Sequence, residues 1–130
     1  MSPSYTILVV DDSLTQLMVL QDFLVAAGYA VETAENGLQA ISLVYNTPPD
    51  LILSDILMPE LNGYHLCRIL KNDPLTKTIP IILLSHLSEP HDRFWGEKAG
   101  ADYYLEKTGD LSPILATIRQ FLTGASRKIS

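Results

Sequence analysis

The sequence predicts an α/β domain in which one parallel sheet carries helices on both faces, and three observations lead there. Short apolar runs of four to six residues alternate five times with longer stretches of helical periodicity. Within a run such as Tyr5–Val10 successive residues are almost all apolar or β-branched, the pattern of a strand buried on both faces. Gly28, Pro48-Pro49, Pro74, Gly100 and Gly124 punctuate the boundaries. With this alternation the crossovers are right-handed.

The elements follow in order. Tyr5–Val10 reads as a central strand. Ser13–Ala27 is helical, with Leu14, Leu17, Met18, Leu20 and Leu24 at helical spacing and Gly28 as its stop. Tyr29–Ala34 is a short strand, Gly37–Tyr45 a helix ended by Thr47-Pro48-Pro49, and Leu51–Ser54 the third strand. Tyr64–Lys71 is a helix stopped by Asn72-Asp73-Pro74. Pro80–Leu84 is the fourth strand, Pro90–Ala99 a helix closed by Gly100, and Asp102–Leu105 the fifth strand. Ser112 caps a last helix with Pro113 at its first position, running to Leu122. Residues 1–124 are expected to form one domain, and 125–130 a tail or the start of a linker.

Composition narrows the function. A net charge of −6 disfavours direct binding to nucleic acid or to anionic membranes. No segment reads as a secretory signal or a membrane span, so a cytoplasmic location is expected. The single cysteine, Cys67, lies in a helical run and reads as buried filler. His65 and His91 lack ligand-like spacing and read as surface residues.

The polar residues that end the apolar runs carry the chemistry. Asp11 and Asp12 follow the first run, Asp55 the third and Ser85 the fourth; Lys107 stands just beyond the fifth. In a parallel sheet all of these meet at the carboxyl edge, where open α/β sheets bind ligands. Three crowded carboxylates repel one another, and a hard divalent cation relieves that conflict. An oxygen-only donor set favours Mg2+ over zinc and leaves room for phosphate oxygens. An aspartate beside such a metal can attack a phosphorylated donor to give an aspartyl phosphate, with Lys107 and Ser85 holding the phosphoryl oxygens. Taken singly, each residue has a plain alternative: a turn or cap for the aspartates and Ser85, a solvated charge for Lys107.

Four segments bear a family resemblance: Ile7-Leu8-Val9-Val10-Asp11-Asp12-Ser13, Leu53 to Gly63, Ile82-Leu83-Leu84-Ser85, and Gly100 to Lys107. Together they resemble the receiver domain of bacterial two-component response regulators, in particular chemotaxis-regulator-like, single-domain receivers. The likeness extends from about Tyr5 to Leu122. It implies a flavodoxin-like (βα)5 fold with strand order 2-1-3-4-5. It implies that Asp55 accepts a phosphoryl group from a sensor histidine kinase or a phosphotransfer protein. Asp12, Asp55 and the Leu57 backbone carbonyl would bind Mg2+ directly, and Asp11 mainly through water. Ser85 and Lys107 would engage the phosphoryl group, and Tyr104 would be the switch aromatic that turns inward. The surface that changes would lie on the helix over Pro90–Ala99, the fifth strand and the last helix, where Phe94 and Trp95 are candidate contacts for a downstream protein target or a phosphorylation-dependent homodimer. Such a domain is not an enzyme but assists its own Mg2+-dependent phosphorylation and dephosphorylation.

Three departures from the family pattern stand out. Thr108 follows Lys107 where proline is usual, which points to a different hold on the lysine loop. His86 stands where a small residue usually follows the hydroxyl, and reads equally as a partial cover of the site or as an exposed loop histidine. Leu57 and Leu87 flank the phosphate position with side chains that cannot orient an attacking water, so slow self-dephosphorylation is expected. A phosphorylation-independent docking module and an aspartyl-phosphate phosphatase are the alternatives. The phosphatase usually needs an acid at the position of Leu57, and an FMN carrier of the same fold would not place Asp11-Asp12 against a phosphate.

Overall fold

The computed structural model describes residues 5–85 and 98–122. Five strands, β1 (Thr6–Val10), β2 (Ala30–Ala34), β3 (Leu51–Asp55), β4 (Ile81–Ser85) and β5 (Tyr103–Glu106), form one sheet of order β2-β1-β3-β4-β5. All pairings are parallel, as the alternation predicts. The described helices are α1 (Leu14–Ala26), α2 (Gly37–Asn46), α3 (Gly63–Lys71) and α4 (Ser112–Leu122). The helix expected over Pro90–Ala99, with His91, Phe94, Trp95 and Gly96, falls outside the described residues except at its end, as do His86 and Leu87.

Strand alternation divides the core into two layers. Ile7, Val9, Leu51, Leu53, Ile82 and Leu84 point to one face and pack with Leu17, Leu20 and Leu24 of α1 and Ile114, Ile118 and Leu122 of α4. Leu8, Val10, Ile52, Ile81 and Leu83 point to the other, with Ala40 and Val44 of α2 and Leu66, Cys67 and Leu70 of α3. Because both faces are covered, β3 and β4 are buried along their whole length.

Side-chain caps set the helix starts. Ser13 Oγ accepts from Gln16 N–H at 3.3 Å, Asn36 Oδ1 from Gln39 N–H at 2.8 Å, and Asn62 Oδ1 from His65 N–H at 2.9 Å. Gly28 ends α1 with φ +103, a conformation that costs glycine little. The last helix departs from expectation: Ser112 lies inside α4, and the Asp110 carboxylate takes the Ser112 N–H at 3.0 Å. Hydrogen bonds from the Ser112 backbone and side chain hold the Asp110 carboxyl below the usual range. Asp102 also leaves its predicted strand. Its N–H donates to Ile81 O at 2.9 Å and its Oδ2 accepts from Ile81 N–H at 2.8 Å, so it ties the start of β4 rather than continuing β5. Lys71 completes that tie, donating to Lys77 O and Ile79 O while pairing with Asp102 Oδ2 at 2.7 Å.

Cys67 is fully buried in the α3 layer, and burial pushes its thiol up to about 12. A thiolate is therefore scarce in the native state. We expect a thiol reagent to leave Cys67 unmodified in the folded protein at mildly alkaline pH and to label it fully in denaturant. Rapid native-state labelling would contradict this packing.

Candidate functional site

The register delivers the polar residues to one edge. Val10 pairs with Ser54, and Asp55 with Leu84, so Asp11, Asp12, Asp55 and Ser85 emerge side by side. Asp55 and Ser85 are the last residues of their strands rather than the first of their loops. This one-residue extension matters, because the ladder then fixes their backbones: Ile56 N–H donates to Leu84 O, and Lys107 N–H to Ser85 O. Asp11 N–H likewise donates to Ala34 O at 3.1 Å.

One oxygen from each of Asp11, Asp12 and Asp55 falls within a common span of 4.8 Å. Asp12 is exposed, while Asp11 and Asp55 are buried. Lys107 reaches in from the end of β5. Its Nζ sits 2.7 Å from Asp11 Oδ2 and 3.5 Å from Asp55 Oδ1, and its side chain is only 6% exposed, far from a solvated charge. Asp11 is engaged at both oxygens, since Oδ1 also accepts from Ser13 N–H at 3.0 Å. Burial raises the Asp55 carboxyl above its usual range; Lys107 pulls it down and Asp11 pushes it up again. Ser85 is buried beside the cluster.

Thr108 alters the means of closure and leaves the lysine in place. The Lys107–Thr108 peptide is trans like every other among the described residues. The Thr108 hydroxyl donates to Asp110 O and accepts Asp110 N–H, both at 3.2 Å, making a tight local turn. Tyr104 is buried in the layer that holds Leu83, while Tyr103 lies 44% exposed with its ring edge-on to Phe121. The Leu57 side chain is exposed at the rim, and His65 is a surface residue as expected.

Sequence reasoning used the loop between β3 and α3 for its likeness but did not foresee the turn within it. Leu61 N–H donates to Pro59 O at 2.8 Å, a γ-turn whose central residue, Glu60, has φ +70. A side-chain-bearing residue there costs about 1–3 kcal/mol and persists only where neighbours hold it. Two glycines provide the fit. A Cβ on Gly63 would meet Asp55 O at 2.4 Å, and one on Gly37 would meet Leu61 O at 2.7 Å. The Gly63 N–H also donates to Ile56 O at 2.8 Å. The run Asn62-Gly63 before a helix was the available signal, since it marks a cap followed by a close approach.

Comparison with known proteins agrees with this geometry. Residues 7–119 match the family model of the response regulator receiver domain. The chain belongs to the receiver family. Among curated relatives, the receiver is 40% identical to the PilH protein of Pseudomonas aeruginosa over 118 residues, covering 91% of this chain and 98% of that protein. It is 39% identical to the response regulator PleD of Caulobacter vibrioides, covering 89% of this chain but 26% of PleD. Among solved structures, the signal receiver domain of a histidine kinase from Syntrophus aciditrophicus superposes with a TM-score of 0.89 at 41% identity, covering 98% of this chain and 96% of that one. The response regulator TrrA of Thermotoga maritima, solved in complex with Mg2+ and BeF, gives 0.82 at 30% identity, covering 91% and 99%.

Two outcomes follow from the site's packing and charge. Gly63→Ala forces Cβ into the backbone of β3 and is expected to cost about 1–3 kcal/mol in denaturant unfolding, since overpacking a tight contact costs that much. An unchanged midpoint would refute the contact. For Asp55, the folded value lies above its ordinary value of 3.8, so ionisation opposes folding. Stability is full below that value and falls as pH rises through the folded one. Asp55→Asn is therefore expected to raise the metal-free melting temperature at neutral pH, with the gain fading as pH falls through the folded value and absent below the ordinary value of 3.8.

Proposed function

We propose that the receiver is a Mg2+-dependent phosphoacceptor of a two-component relay, with Asp55 as the residue phosphorylated. The observation that carries this reading is the Lys107 ammonium between two buried carboxylates at the carboxyl edge of the sheet. The donor set fits magnesium. Oxygens on one Mg2+ lie up to about 4.2 Å apart, close to the span of the three carboxylates here. Asp12 and Asp55, with the Leu57 carbonyl, would hold the ion directly, and Asp11, whose two oxygens already have donors, would act through water. The metal supplies neutralisation of the carboxylates and of the phosphoryl oxygens.

In the proposed step an Asp55 oxygen attacks the phosphorus of a phosphohistidine, a P–O bond forms, the P–N bond breaks and the imidazole leaves with its electron pair, taking up a proton. Lys107 then pairs with a phosphoryl oxygen and Ser85 hydrogen-bonds another. The partner that donates is a histidine kinase or phosphotransfer protein, encountered in the cytoplasm; no helix among the described residues is long and apolar enough to cross a membrane. The new charge biases Ser85 and Tyr104, and through them β5 and α4, towards a different contact surface for a downstream protein. Phe94 and Trp95 are further contacts in this proposal. Residues 1–124 act as the receiver unit in it.

The test uses Trp95, the single tryptophan, as reporter. Titrating magnesium and then beryllium fluoride is expected to change its fluorescence in wild type and to have no such effect in Asp55→Asn. Equal responses in both proteins, or none in folded wild type, would reject the phosphoacceptor reading in favour of a docking module. The apolar Leu57 and Leu87 offer no hydrogen bond to a hydrolytic water. The phosphorylated form is accordingly expected to persist for minutes or longer, and a lifetime of seconds would count against that.

A further inference from the structure

We propose that Glu60 is a positioning residue for the metal site, acting through its backbone. The idea rests on the metal reading above and adds a residue with no ligand atom in it. The loop from Leu57 to Asn62 carries the carbonyl offered to the metal, and its shape is locked from both sides. On one side Gly63 N–H holds Ile56 O at 2.8 Å and leaves no room for a Cβ against Asp55 O. On the other the amino end of α2 abuts Leu61, where a Cβ on Gly37 would meet Leu61 O at 2.7 Å. Between these anchors Leu61 N–H closes on Pro59 O around Glu60 at φ +70.

Glycine takes that φ freely, but takes many others as well. A residue with a Cβ held there by its neighbours gives up local stability for a narrow range of loop shapes. Narrowing the metal-free loop moves the cost of ordering out of the binding step, which is what preorganisation contributes to affinity. The Glu60 side chain is exposed, so its influence runs through the main chain rather than through packing. Stability and metal affinity should therefore move in opposite directions when Glu60 is replaced by glycine. A residue with a purely structural role would not produce that split.

The experiment measures magnesium affinity by calorimetry, together with metal-free melting temperature, for wild type, Glu60→Gly, Glu60→Gln and Gly37→Ala. Relative to wild type, Glu60→Gly is expected to bind about tenfold more weakly, as supporting groups around metal sites typically do when lost, with a higher melting temperature. Glu60→Gln, which removes the charge but keeps the Cβ, is expected to keep wild-type affinity. Gly37→Ala is expected to weaken binding from the α2 side of the loop. Wild-type affinity in Glu60→Gly would overturn the proposal, and so would an equal loss in Glu60→Gln, since charge would then be the cause. Normal affinity in a folded Gly37→Ala would overturn the α2 anchor. Failure of wild type itself to bind magnesium, or binding that survives Asp55→Asn, would overturn the metal reading and this inference with it.

Discussion

The buried ammonium of Lys107 is the interaction on which the site depends. It lies 2.7 Å from Asp11 and 3.5 Å from Asp55, in a place where each carboxylate alone would be costly. Burial already lifts the Asp55 carboxyl, and Asp11 adds to that; only Lys107 among the charges around Asp55 favours its ionised form. Removing the lysine would leave two buried carboxylates uncompensated, a kind of change that costs about 3–5 kcal/mol in general, whereas loss of Asp55 leaves Lys107 paired with Asp11. The residual conflict among like charges is what a divalent cation would relieve. Fold and chemistry are thereby linked: the sheet forces the carboxylates together, and the lysine makes their meeting tolerable.

What brings Lys107 there is the ladder of the sheet. β5 pairs with β4 so that Ser85 faces Glu106, and the next N–H, that of Lys107, closes on Ser85 O. The side chain then extends across the end of β3 to β1. A proline after the lysine is not required for this course. The Thr108 hydroxyl, bonded both ways with Asp110, closes the loop instead, and the Asp110 carboxylate goes on to cap α4. One short turn thus couples the lysine to the start of the last helix.

Much of this was legible in the residues. Apolar runs with no polar face announced strands buried on both sides, and the polar residues at their ends announced the carboxyl edge. Asp11, Asp12, Asp55, Ser85 and Lys107 all arrive there. Strand order came from the family likeness, because periodicity alone does not say which strands are neighbours. Other features were hidden for local reasons. Ser112 looked like a cap, yet it is the first residue of the helix and its N–H is held by the Asp110 carboxylate two residues earlier. Asp102 looked like the start of a strand, yet its carboxylate is spent on Ile81 N–H and Lys71. Glu60 gave no signal, since a left-handed conformation at a glutamate does not follow from its own preference.

The most direct test of the central claim is intact-mass analysis after incubation with acetyl phosphate, with and without magnesium, for wild type, Asp55→Asn and Lys107→Ala. The account predicts a gain of one phosphoryl group in wild type only when magnesium is present, no gain in Asp55→Asn, and a strongly reduced gain in folded Lys107→Ala. A phosphoryl gain that survives Asp55→Asn, or that forms equally without magnesium, would contradict it.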